Sequence, residues 1–193
     1  KDRIRGYLPV VIDVETAGFN ENTDALLEIC AIILGLDDSG KFFPKTTLHF
    51  HIEPFKGANI EPSALKFNCI DIDNPFRLAV PEKEALTKIF TCVSDDLLIE
   101  ECTRAILVGH NAFFDLGFVK AATVRTKLKS PFHQFSTIDT VSLSALYCGE
   151  TVLAKAAVKS GIEWDNDQAH SALYDTQKTS ELFCQIFNSH VLS

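Results

Sequence analysis

Five side chains in this 193-residue sequence could do chemistry as a group. Asp13 and Glu15 stand two apart in PVVIDVET at 9–16, and on a strand that spacing sends both carboxylates from one face. Carboxylates a few ångströms apart raise one another's pKa unless positive charge lies between them. Such a pair is either a solvated strand end or the start of a cation site, and alone it reads first as the former. Asp115 follows the apolar stretch 105–109 by way of His110-Asn111-Ala112-Phe113-Phe114, where a carboxylate also suits the positive end of a helix. Asp175 closes QAHSALYD at 168–175. Five helical residues turn through roughly 500°, so His170 and Asp175 meet only if His170 sits in a loop ahead of the helix. Each residue has a plain structural reading; it is the combination that points to a reaction centre.

The elements that would carry these groups follow from the hydrophobic pattern. Residues 9–16 read as a buried strand emerging into polar residues, 26–36 as a second apolar strand and 46–53, which alternates, as a third. Asp37-Asp38-Ser39-Gly40 is a hairpin turn signal between the last two. Pro54, Pro62, Pro75 and Pro81 make 53–81 a loop with short helical turns. Pro81 then opens a helix with Ala85, Leu86, Ile89, Phe90 and Val93 at helical spacing. A strand is expected over 105–109, a helix over 113–128, a strand over 135–139 and helices over 152–160 and 171–187. This order predicts an α/β fold, a mixed five-stranded sheet with helices on both faces, in one domain over 1–193.

Composition excludes several classes. With 46% hydrophobic and 23% charged residues, the chain is neither disordered nor fibrous. The longest apolar stretch, 29–36, is too short to span a bilayer, and no secretory signal pattern is visible. The sequence starts at Lys1 and contains no Met, so the natural N-terminus is expected upstream. A net charge of −8 argues against a general polyanion binder, although acids that hold cations would attract phosphate. Six cysteines without a C-x-x-C pair read as buried, reduced thiols. A nucleotide-binding α/β domain would need a Gly-rich phosphate loop, and there is none.

Three segments then carry a resemblance. DVET at 13–16, HNAxxD at 110–115 and HxxxxD at 170–175 resemble the motifs of the DEDDh exonucleases. PVVIDVETAGF at 9–19, LHFHIEPF at 48–55 and QAHSALYDT at 168–176 are similar to the ribonuclease T family, and the likeness runs over 3–188. It implies a ribonuclease-H-like fold and a homodimeric, cytoplasmic 3′→5′ exoribonuclease. That enzyme would trim single-stranded 3′ ends of tRNA and other stable RNAs to 5′-mononucleotides, with single-stranded DNA as a side substrate and no membrane partner. It implies two Mg²⁺ ions, replaceable by Mn²⁺, held by Asp13, Glu15, Asp115, His170 and Asp175. Two ions about 3.5–4 Å apart activate a water and hold the departing oxygen, and four carboxylates match their charge. His170 would be the general base, since an ordinary imidazole pKa of about 6.5 leaves it neutral at physiological pH.

The resemblance also assigns substrate contacts. Phe19, Phe67, Phe114 and Phe135 would stack or wedge the terminal bases beside Ser63, each base–aromatic contact worth roughly 1–3 kcal/mol. Arg3, Arg5, Arg104 and Lys129 would guide RNA toward the active site of the other subunit. Two departures stand out: Ser63 occupies a position where the family tends to carry Glu, which bears on base preference. DDLLIEE at 95–101 is acidic where the family is basic, which predicts a shallow salt dependence. Asp139, at a strand–helix junction, reads as a fifth acid or as a cap, the supporting role being favoured. The competing readings are a proofreading-type DNA exonuclease or oligoribonuclease, which shares the motifs, and a catalytically silent RNA-binding module.

Overall fold

The computed structural model describes residues 4–189. Its centre is β1 (Tyr7–Thr16), whose residues 8–12 are all buried. Next to it lie β2 (Leu26–Leu36) and β4 (Arg104–Gly109), with β3 (Phe42–His51) and β5 (Phe132–Asp139) at the edges, in the order β3-β2-β1-β4-β5. The β1–β2 and β2–β3 pairs are antiparallel, and the β1–β4 and β4–β5 pairs are parallel. This is the expected mixed five-stranded sheet.

Alternation along β1 divides the core. Leu8, Val10, Ile12 and Val14 pack on one face with α2 (Glu82–Ile99) and α3 (Ala112–Thr126). Val11 points the other way, into a cluster with Cys30, Ile32 and Phe183 of α6 (Ala172–Ser189). By the same period Asp13 and Glu15 continue the α6 face. The short helices α4 (Thr140–Cys148) and α5 (Leu153–Lys159) pack against α6, and α1 (Pro62–Phe67) and a 3-10 turn at Pro75–Arg77 lie within the 53–81 loop.

Several expectations needed correction. The third strand begins at Phe42, not residue 46, because Pro44 sits on an edge strand where its missing N–H is tolerated. The fifth begins at Phe132, ahead of an irregularity that sets Ala105 opposite Phe132 and Leu107 opposite Thr137. The helix α4 was not expected. Its buried residues are Thr140 and Ser144, with Leu143 half-buried against the core, while Leu146 is 88% exposed, so it lacks the apolar stripe of an ordinary amphipathic helix. Of the six free cysteines only Cys30 and Cys184 are buried; Cys69 is exposed. Residues 140–159 are apolar enough in composition for a membrane span. They fold as two helices of nine and seven residues, broken where Gly149 takes a left-handed conformation at φ 75°, whereas a span needs about 20 continuous residues.

Candidate active site

The acids meet where β1 outruns β4. Parallel pairing ends at Val11–Val108, and beyond it the Val14 N–H donates to Asp115 Oδ1 at 3.0 Å. Asp115 reaches that position from the first turn of α3 and is buried. A methyl group at Gly109, the last residue of β4, would lie 3.1 Å from Asp115 Oδ2 and 3.2 Å from the Ile12 carbonyl, so a larger residue here would press on the Asp115 carboxylate. Asp13, Glu15 and Asp175 each offer an oxygen within 4.8 Å of the others. Asp175 comes from the first turn of α6, which lies over β1 and β2.

Desolvation dominates the electrostatics. Burial, then the charges of Asp115, Glu15 and Asp175, hold the Asp13 carboxyl well above the usual range. Burial, Asp175 and Glu28 push Glu15 up to about 8. Burial raises Asp115 to about 8 against the opposing hydrogen bond from Val14, and it raises Asp175 to about 6. Asp175 Oδ1 is buried without a hydrogen-bond partner among the described residues. Hard oxygen donors, mutual repulsion and an orphaned carboxylate oxygen together fit divalent cations of the Mg²⁺ class.

A cleft of about 700 Å³ opens beside Glu15, lined by Phe19, Ser63, Phe67, Asn68 and Phe114. Phe19 is 89% and Phe67 66% exposed, so neither ring is spent on the chain's own core. The Phe19 loop is fixed by buried Asp24, which accepts from the Asn20 N–H at 3.0 Å, the Thr23 hydroxyl at 2.8 Å and Asn59 Nδ2 at 3.0 Å. A Cβ at Gly18 would overlap the Asp24 carboxylate. Phe114 meets Phe19 edge-on at 6.3 Å and leans on core Phe118. Phe135 is not brought to this cleft. It is exposed and packs at 4.6 Å on His133, which lines a different groove.

His170 does sit in the loop ahead of α6, in a left-handed conformation at φ 65°. Its N–H donates to Asp175 Oδ2 at 3.3 Å and its exposed ring lies 4.3 Å from Phe67. Asp115 and His170 are therefore placed around the triad of Asp13, Glu15 and Asp175 and are not part of it. Asp139 caps: it accepts from the N–H groups of Asn111, Ala112 and Val141 at 3.3, 3.0 and 2.8 Å, tying together the starts of α3 and α4. His110 is locked by Thr140 Oγ1 and the Thr151 carbonyl, both at 2.9 Å.

The basic residues divide. Arg104 and Lys129 line a groove of about 720 Å³ together with Lys120 and Leu97. Arg5 stands apart, with its guanidinium 5.9 Å from the Tyr7 ring centre; Arg3 lies outside the described residues. Arg125 is committed internally, paired with Glu82 at 2.7 Å and stacked over Phe55 at 4.2 Å. In the acidic 95–101 segment, Lys45 binds Asp96 at 3.1 Å and Glu100 at 2.9 Å.

Residues 10–183 match the exonuclease family RNase T. Ribonuclease T of Vibrio parahaemolyticus is 60% identical over 190 residues, covering 97% of this chain and 89% of that protein. The chain belongs to the ribonuclease T exonuclease family. Its fold is shared more widely. Escherichia coli exonuclease I, solved with a dT13 oligonucleotide, superposes with a TM-score of 0.71 at 18% identity, over 93% of this chain and 41% of that one. A 3′-exonuclease solved for 3′-end recognition of a histone mRNA stem-loop gives a TM-score of 0.72 at 14% identity, over 95% and 64%.

Two residues of this ribonuclease T-type site escaped the sequence reading. Asn68, buried at the end of α1, donates to the Thr16 carbonyl at 3.1 Å and opposes the upward shift of the Glu15 carboxyl; no local pattern announces a contact 52 residues distant. Glu28 lies directly across from Glu15 in the β1–β2 register and is buried. It left a signal, as the sole charge in the eleven-residue strand LLEICAIILGL.

Proposed function

We propose that this chain is a metal-dependent 3′→5′ exoribonuclease acting as one domain, trimming single-stranded 3′ ends of tRNA and other stable RNAs and releasing 5′-mononucleotides. The phosphodiester-hydrolase activity is that of the family. The observation that carries the rest is the acid triad at the edge of an aromatic cleft, with oxygens within 4.8 Å of one another. Asp13, Glu15 and Asp175, with Asp115 behind them, would hold two Mg²⁺ ions or their Mn²⁺ substitutes. Such ions supply a nucleophile at neutral pH and charge relief on the phosphoryl group.

The chain's own groups do the remainder. Phe19, Phe67 and Phe114 present ring faces and edges on which terminal bases stack, so the reacting phosphate is drawn to the open side of the triad. Ser63 lies among them, short and uncharged, so base preference rests on stacking. His170, on its left-handed loop, takes the proton of the attacking water; its backbone bond to Asp175 fixes where the ring hangs. Stacking reads base faces and not the 2′-hydroxyl, which supports single-stranded DNA as a side substrate. The relative at 60% identity is a ribonuclease, which favours RNA over the DNA-proofreading alternative.

Arg104, Lys120 and Lys129 form a phosphate-attracting groove away from the triad, which supports a homodimer in which one subunit guides RNA into the other. Six free thiols suit a reducing, cytoplasmic setting. The test is a time course on 5′-labelled RNA with a single-stranded 3′ tail. A ladder shortening from the 3′ end with Mg²⁺, abolished by EDTA and in Asp13→Ala, is the expected result. Bound, uncut RNA would instead identify a silent binding module.

A further inference from the structure

A second cluster lies one strand beyond the acids. His49 and His51 of β3 alternate onto the α6 face of the sheet, opposite Cys30 and Glu28 of β2. His49 Nε2 is 2.6 Å from Glu28 Oε1, and His51 Nδ1 is 3.9 Å from Glu28 Oε2. The three donor atoms lie within 4.8 Å of one another. A tetrahedral zinc site with bonds of about 2.0–2.2 Å separates its ligand atoms by roughly 3.3 Å, so the three side chains would draw in around an ion. His51 Nδ1 is buried and has no hydrogen-bond partner among the described residues, a costly condition for a ring nitrogen that coordination would relieve.

We propose that Glu28, His49 and His51 form a metal site separate from the carboxylate triad, taking one zinc-class transition ion and leaving its fourth position open to water. The donor set decides the class of ion. Two imidazoles and one carboxylate suit Zn²⁺ and its neighbours in the transition series, whereas Mg²⁺ takes oxygen. Burial holds the His51 imidazole below its ordinary pKa, keeping the ring neutral for coordination.

This second site borders the first through Glu28, which lies across from Glu15, and one experiment separates the two. Zn²⁺ is titrated calorimetrically into the whole chain with Mg²⁺ saturating, in wild type, Asp13→Asn and His51→Gln. Co²⁺ visible absorption serves as a second readout of four-coordinate geometry. His51→Gln is the variant of choice because its Nδ1 has no bond to lose; circular dichroism verifies its fold. The expected result is one Zn²⁺ per chain in wild type and Asp13→Asn. His51→Gln should weaken it by more than the roughly 10- to 100-fold that removal of an outer-sphere partner causes, and the Co²⁺ bands should disappear. Zn²⁺ held equally well by His51→Gln, or absent from Asp13→Asn, would overturn the proposal.

Discussion

Two concavities of nearly equal size share no lining residue: the aromatic cleft at the acids, about 700 Å³, and the basic groove, about 720 Å³. The first is built on the ends of central elements, with its carboxylates brought together from β1, α3 and α6. The second sets Arg104, Lys120 and Lys129 on a largely uncharged lining from α3 and the start of β5. The contrast explains why a chain of net charge −8 need not repel a polyanion. Four of its acids are gathered where cations would neutralise them, and Asp96 and Glu100 are paired with Lys45. Arg104, Lys120 and Lys129 line the other groove, which the proposed function gives to RNA. Position, and not total charge, sets what the surface attracts.

Each concavity can be perturbed without the other. The largest effect is expected at the acid end: His170→Ala should lower kcat by about 100-fold or more while Mg²⁺ binding, followed by calorimetry, stays nearly intact. Near-wild-type turnover would remove His170 from the chemistry. Next, Phe19→Ala with Phe114→Ala should weaken binding of short RNA by about 1–3 kcal/mol for each stack removed, read by anisotropy. Part of the Phe114 effect is structural, since that ring also packs on Phe118, so Phe19→Ala alone is the cleaner measurement. On the groove side, Arg104→Ala with Lys129→Ala should weaken RNA binding evenly across sequences. It should flatten the dependence of log K on log salt by about 0.7 for each phosphate no longer neutralised, leaving turnover of bound substrate unchanged.

The smallest effect concerns the acid side alone. In the metal-free fold Glu15 holds its proton up to about 8, against an ordinary value of 4.5, and Asp115 up to about 8 against 3.8. Between those limits the folded state binds more protons than the unfolded one, so stability falls as pH rises through the window. Tm in EDTA should therefore decline between about pH 5 and 8, and saturating Mg²⁺ should reduce that slope. A Tm in EDTA that rises steadily with pH would show that the acids are not desolvated as described.

Much of the acid side was legible because each carboxylate interrupts a periodic pattern: Asp13 and Glu15 in an apolar strand, Asp115 and Asp175 at helix starts. Periodicity also located α2, α3 and α6, whose buried faces are largely apolar. It failed at α4, where Thr140 and Ser144 face inward and Leu146 outward, and at β5, where an irregular register hides the strand's first residues. Asn68 was out of reach because its role is fixed by tertiary contact alone. Phe135 was assigned to the cleft by likeness to relatives, and only packing could place it beside His133.

The triad draws on both ends of the chain, Asp13 and Glu15 from the first strand and Asp175 from the last helix. A growing polypeptide therefore contains no complete triad until the start of α6 has been synthesised and has folded back over β1. Until then it cannot act on the RNA-rich ribosome that is making it.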